Sequence, residues 1–116
     1  MPNGRSGGFP IETADLKGLI SAASAAGPIA MLVDDSSGPK PRATDAKEML
    51  RVANEYPHER VAVEEQDHAC YVIHFRNEPT PIWVVVFSES PLFGGLKQRH
   101  AQWKLDHPNW PGWLEY

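Results

Sequence analysis

A short stretch just past the middle of the chain brings carboxylates, imidazoles and the lone thiol within eleven positions: Glu64-Glu65-Gln66-Asp67-His68-Ala69-Cys70, followed by His74. Carboxylates and imidazoles exchange protons near neutral pH, and a thiolate can attack an electrophile or ligate a metal. On a strand beginning as early as His68, the residues His68, Cys70, Val72 and His74 share one side, with neighbours two apart about 6.8 Å from each other. His68 and Cys70 could therefore reach one ion. His74 lies roughly 13 Å beyond Cys70, too far to join them without a bend. No second ligand pair at metal-site spacing occurs in the chain, so neither a metal nor any other cofactor is expected. Cys70 sits beside Tyr71 and Val72, a setting for a buried small hydrophobe rather than a nucleophile.

Acid/base work is the sharper use of these groups. A small nuclease or related hydrolase needs a base, an acid and a cation to stabilise the phosphorane. Glu64, His68, His74, Arg76, Arg99 and His100 are the candidate catalytic residues, with Arg99 or His100 brought in from a later element. Each also has a plain structural use: His74 as a packed, hydrogen-bonded sheet histidine, Arg76 as the end of a strand. Gly94-Gly95 lacks the lysine and spacing of a phosphate loop, and Gly4 to Gly8 precedes no expected strand, so nucleotide chemistry is disfavoured. A second constellation is aromatic. Of the four tryptophans, Trp103, Trp110 and Trp113 fall near the C-terminus with Tyr116, and Trp83 stands alone. Rings with a polar edge dominate interface hot spots, which makes Trp103, Trp110, Trp113 and Tyr116 candidate binding residues. The competing use for them is to close the core of a small domain.

The elements that would position these groups follow from periodicity. Residues 1–10 hold three Gly and two Pro and predict a flexible N-terminal arm, whose end Phe9 and Ile11 could tuck against the body. Thr13 is placed as the cap of a helix over 14–26, with Leu16, Leu19, Ile20 and Ala23 on one stripe. Ile29–Val33 reads as a buried strand, residues 34–43 as an irregular loop, and Thr44 as the cap of a second helix ending near Asn54–Pro57. Arg60–Glu65, Ala69–Arg76 and Ile82–Phe87 then predict an antiparallel meander. A loop at 66–68 would pair Val63 with Tyr71 and Val61 with Ile73, and so give one coherent apolar face including Phe75. The third meander strand is apolar on both faces and is expected to be central. Ser90-Pro91 opens a last helix carrying Leu92, Leu96, Arg99 or His100, and Trp103 along its length, its first turn weakened by Gly94 and Gly95.

The expected fold is α+β: a single small domain over 11–116 in the order α-β-α-β-β-β-α. Its sheet is mixed or antiparallel and four-stranded, with the C-terminal three-strand meander covered by helices. The Tyr71 side of that meander should meet the helices and the His74 side stay free or only partly covered.

A chain of 116 residues, 41% hydrophobic and 22% charged, is ordinary globular material. The formal net charge of −4 argues against bulk attraction to nucleic acid. Lys40, Arg42, Lys47 and Arg51 are interleaved with Asp34, Asp35, Asp45 and Glu48 and read as a solvated face. The longest strongly apolar run, Ile82–Phe87, is far short of a membrane span. One cysteine and a polar first ten residues suit a reducing, cytoplasmic setting. The function best matching this pattern is a non-enzymatic protein–protein interaction module, partnered by another protein or by itself. The alternative is a small hydrolase using Glu64, His68, His74 and Arg99 or His100.

Overall fold

The computed structural model describes residues 8–23, 28–34, 41–66, 69–75 and 81–109. The elements, in chain order, are β1 (Gly8–Glu12), α1 (Thr13–Ala22), β2 (Ala30–Asp34), β3 (Arg42–Thr44), α2 (Ala46–Glu55), β4 (Arg60–Gln66), β5 (Cys70–Phe75), β6 (Ile82–Phe87) and α3 (Pro91–Asp106). The α+β class stands, but the sheet has six strands rather than four, all antiparallel, in the order β1-β4-β5-β6-β2-β3. The two additional strands are its edges. Strand β1 takes in Gly8–Pro10, which the composition had assigned to the arm, because Phe9 and Ile11 are buried when that segment pairs along β4. Strand β3 takes Arg42 and Ala43 from the expected loop, and Thr44 from the expected helix cap, by pairing with β2.

The meander forms, with β6 interior as expected, but two residues out of the expected register. Val63 pairs with Ile73 and Glu65 with Tyr71, and the connection after Gln66 runs over 67–69. A two-residue shift leaves every side chain on the face alternation assigned to it, so the apolar face survives the error. Tyr71, Ile73 and Phe75 are fully buried together with Val61, Val63, Val84 and Val86. From the helices, Leu16 and Ile20 of α1, Met49, Val52 and Ala53 of α2, and Leu92 and Leu96 of α3 close this single core.

Two helix starts differ from expectation. Glu12 occupies the N-cap of α1, while the Thr13 hydroxyl donates to the His58 carbonyl and ties α1 to the entry of β4. Helix α1 also ends earlier, at Ala22. Asp45, not Thr44, caps α2, its carboxylate accepting from the Glu48 amide, whereas Thr44 donates to the Glu48 carboxylate. The Arg42 guanidinium and the Thr44 hydroxyl together hold the Glu48 carboxyl below its usual range. Ser90 caps α3 with Pro91 in its first turn as expected, and the helix runs unbroken through Gly94 and Gly95. Among the described residues, no helix is long and apolar enough to cross a membrane.

Candidate functional site

All three helices pack on one face of the sheet, and on the other face, among the described residues, Trp83 and Phe87 are exposed while Val72 is buried. Cross-strand pairing orders the side chains of that other face in rows. One row runs Pro10, Ala62, His74, Trp83 and Val33. The next runs Glu64, Val72, Val85, Met31 and Ala43, and a third carries Gln66, Cys70 and Phe87. Polar groups gather toward β4, and apolar ones occupy β6, β2 and β3. Trp83 and Phe87 keep 38% and 46% of their surface exposed, which marks the patch as wet rather than a second core. Beyond Phe87 the face ends in a cleft of about 260 Å3 lined by Ile29, Met31, Ala43, Phe87 and Pro91.

Glu64 and His74, two of the candidate catalytic residues, do meet on this face. Residue 64 sits diagonally across the β4–β5 ladder from residue 74, and the His74 Nε2 lies 3.2 Å from Glu64 Oε1. The imidazole also meets Trp83 edge to face, with ring centroids 6.3 Å apart. Cys70 is half-buried on the same face.

The remaining candidates divide between the other side of the sheet and segments outside the described residues. Arg99 forks onto Asp15 of α1, with Nε 2.7 Å and Nη2 3.0 Å from the carboxylate oxygens. That carboxylate raises the guanidinium pKa. His100 is buried beneath α3, its Nδ1 3.1 Å from the Tyr71 hydroxyl and its ring stacked 4.8 Å from Phe9. The sheet therefore separates Arg99 and His100 from Glu64 and His74, and these four share no cleft. His68, Arg76, Trp110, Trp113 and Tyr116 lie outside the described residues. Trp103 is half-buried against the core and stacks on His107 at 3.7 Å.

Sequence reasoning passed over the buried polar group beside His100. Glu65 follows Val61 and Val63 on the core side of β4 and pairs with Tyr71, and it is almost fully buried. Burial first, and then the Glu65 charge and hydrogen bond, push the Tyr71 phenol well above its usual pKa. Burial pushes the His100 imidazole down, against the opposing pull of Glu65 and with a smaller contribution from Lys104. The alternation of Val61, Val63 and Glu65 was the available signal, but Glu65 read as a turn charge. Nearby, a cleft of about 250 Å3 opens between β1 and α3, bordered by Phe9, Ile11, Asp15, Arg60, Arg99 and Trp103. Charges of both signs line it. Among the described residues no group of three or more His, Cys, Asp or Glu side chains is placed to hold a metal ion. No protein-family model, curated protein or solved structure matches this chain.

Proposed function

We propose that the protein is a non-enzymatic interaction module that binds protein through the open face of its sheet. One observation carries this reading. The outer face of an antiparallel sheet is ordinarily polar, yet here Met31, Val33, Trp83, Val85 and Phe87 form its outward surface over β2 and β6. Exposed aromatic rings on a rigid strand offer a large contact area with little side-chain entropy to lose. A sequence with a single cysteine suits a reducing compartment, which supports a cytoplasmic setting. A photoreactive residue installed at Phe87 should give discrete protein adducts in cells, and the same residue at the exposed Lys47 on α2 should give none. No adducts at Phe87, or equal labelling at both positions, would refute the reading.

The Glu64–His74 contact supports a second reading, a hydrolase in which the carboxylate orients the imidazole as a base. Purified protein would then cleave RNA with a pH–rate profile altered by His74→Ala and unaffected by chelator. Cleavage that is absent, or indifferent to this substitution, disposes of it.

A further inference from the structure

We infer that the cleft between β1 and α3 binds a free α-amino acid with an apolar side chain, held by the outward edge of β1. This site is separate from the open sheet face and does not depend on what that face binds.

The main chain of β1 carries the argument. The strand is an edge of the sheet, and Phe9, Pro10, Ile11 and Glu12 line the cleft. The Thr13 amide donates to the Glu59 carbonyl at 2.7 Å, one step beyond the Glu12–Arg60 pair. Hydrogen-bonded pairs alternate along an antiparallel ladder, so Phe9 and Ile11 bond to β4 while Pro10 and Glu12 turn their main-chain groups outward. Pro10 has no amide to offer, but its carbonyl and the Glu12 amide flank Ile11. An acceptor and a donor so spaced match the nitrogen and the carbonyl oxygen of one residue lying parallel to β1. The ladder can go no further. Pro10 stops it on one side, and on the other Glu12 caps α1. An edge with room for one residue suits a single amino acid better than a peptide strand.

The walls fit the rest of such a ligand. Its carboxylate would point to the Glu12 end of β1, where Arg60 lies opposite Glu12 and forms no ion pair among the described residues. Arg99 stands at the same end, held on Asp15 through Nε and Nη2 at 2.7 and 3.0 Å, with Nη1 left for the ligand. Glu12 and Asp106 also border the cleft and complement an ammonium group. The ligand side chain falls on the same side as Ile11, against Phe9 and Trp103. The volume of about 250 Å3 is just below the roughly 300–1,000 Å3 of sites for drug-sized ligands.

NMR titration of the isotope-labelled chain with L-leucine should shift the Glu12 amide and the neighbouring resonances of α3 to saturation. D-leucine should bind about tenfold more weakly, and so should N-acetyl-L-leucine amide, which keeps the main-chain bonds but neither charge. Glu12→Pro deletes the amide at a φ of −67°, which proline accepts, and should abolish the shifts on α3. Glu12→Gln keeps the amide and should still bind. Arg60→Ala, at an exposed strand end, should weaken binding about tenfold. The inference is overturned if neither L-leucine nor L-phenylalanine gives saturable shifts, or if D-leucine or the neutral amide binds as well as L-leucine. Binding that survives Glu12→Pro with an unchanged far-UV CD spectrum also overturns it. Should Glu12→Pro disturb that spectrum, Arg60→Ala decides, and an unchanged affinity there has the same consequence.

Discussion

Burial disfavours the charged form of His100, whose ring is stacked on Phe9, touches Tyr71 and is 5% exposed. Burial lowers its pKa in the folded protein relative to the unfolded chain, so as pH falls below the ordinary imidazole value the unfolded state takes up a proton that the folded state resists. Stability attributable to this residue is therefore complete above that value and is lost as pH falls toward the lowered one. The neighbouring Glu65 moderates the loss and Lys104 adds to it. Urea unfolding at pH 7.5 and 5.5 should show a decline for the wild type, with a slope bounded by about 1.4 kcal/mol per pH unit for one proton. His100→Leu should flatten that decline, and an equal slope in the variant would assign it to other groups. Tyr71→Phe tests the same cluster from the other side. It deletes the hydroxyl facing His100 Nδ1 while keeping the ring, and should cost about 1–3 kcal/mol in urea unfolding, as expected when a buried polar atom loses its partner.

Among the elements, those with a strong period were legible and those held only by their neighbours were not. Val61, Val63, Tyr71, Ile73 and Phe75 alternate, and because the period of a strand is two, even a register wrong by two residues put each on its correct face. The same alternation put Glu64 and His74 on one face, but their contact depends on the register the structure shows, with Ala62 opposite His74; the expected pairing would have set them four residues apart along the ladder. Strands β1 and β3 carry no such pattern: Gly8 and Pro10 are poor strand formers, and three residues are too few to show a period. Their pairing is imposed by β4 and β2, a tertiary effect that local propensity does not encode. The division of the acid/base candidates between two faces escaped for the related reason that helix α3 could have been laid on either side. Gly94 and Gly95 also look equivalent in the sequence and are not. A Cβ at Gly94 meets nothing within 4 Å, whereas one at Gly95 would come within 2.8 Å of Leu19 Cδ2. Gly94→Ala should stabilise α3 by about 1 kcal/mol through helix propensity. Gly95→Ala should fall short of that gain, since Leu19 must shift where α1 and α3 touch; equal melting temperatures for the two variants would show that the contact yields freely.

At the scale of the whole molecule, the sheet is a boundary between a surface the helices have closed and one they have not, and two adjacent residues separate these roles. Val84 is fully buried in the core, while Val85 faces outward between Val72 and Met31. Val84→Ala deletes two buried methyl groups and should cost roughly 2 kcal/mol. Its melting temperature should drop at every protein concentration, because the loss belongs to the folded chain itself. The outward face behaves differently if it is covered by a second copy, since association couples folding to concentration through mass action. The wild-type melting temperature should then rise with concentration, and Val84→Ala should rise in parallel below it. Val85→Arg should abolish the dependence and leave a flat line near the dilute wild-type value, because the arginine can extend into solvent past the exposed rings of Trp83 and Phe87 on the same strand face. Differential scanning calorimetry over a hundredfold concentration range separates the cases. A wild-type transition that does not move with concentration, or a Val85→Arg chain that unfolds as easily as Val84→Ala, would mean that the face contributes to the monomer's own stability and not to assembly.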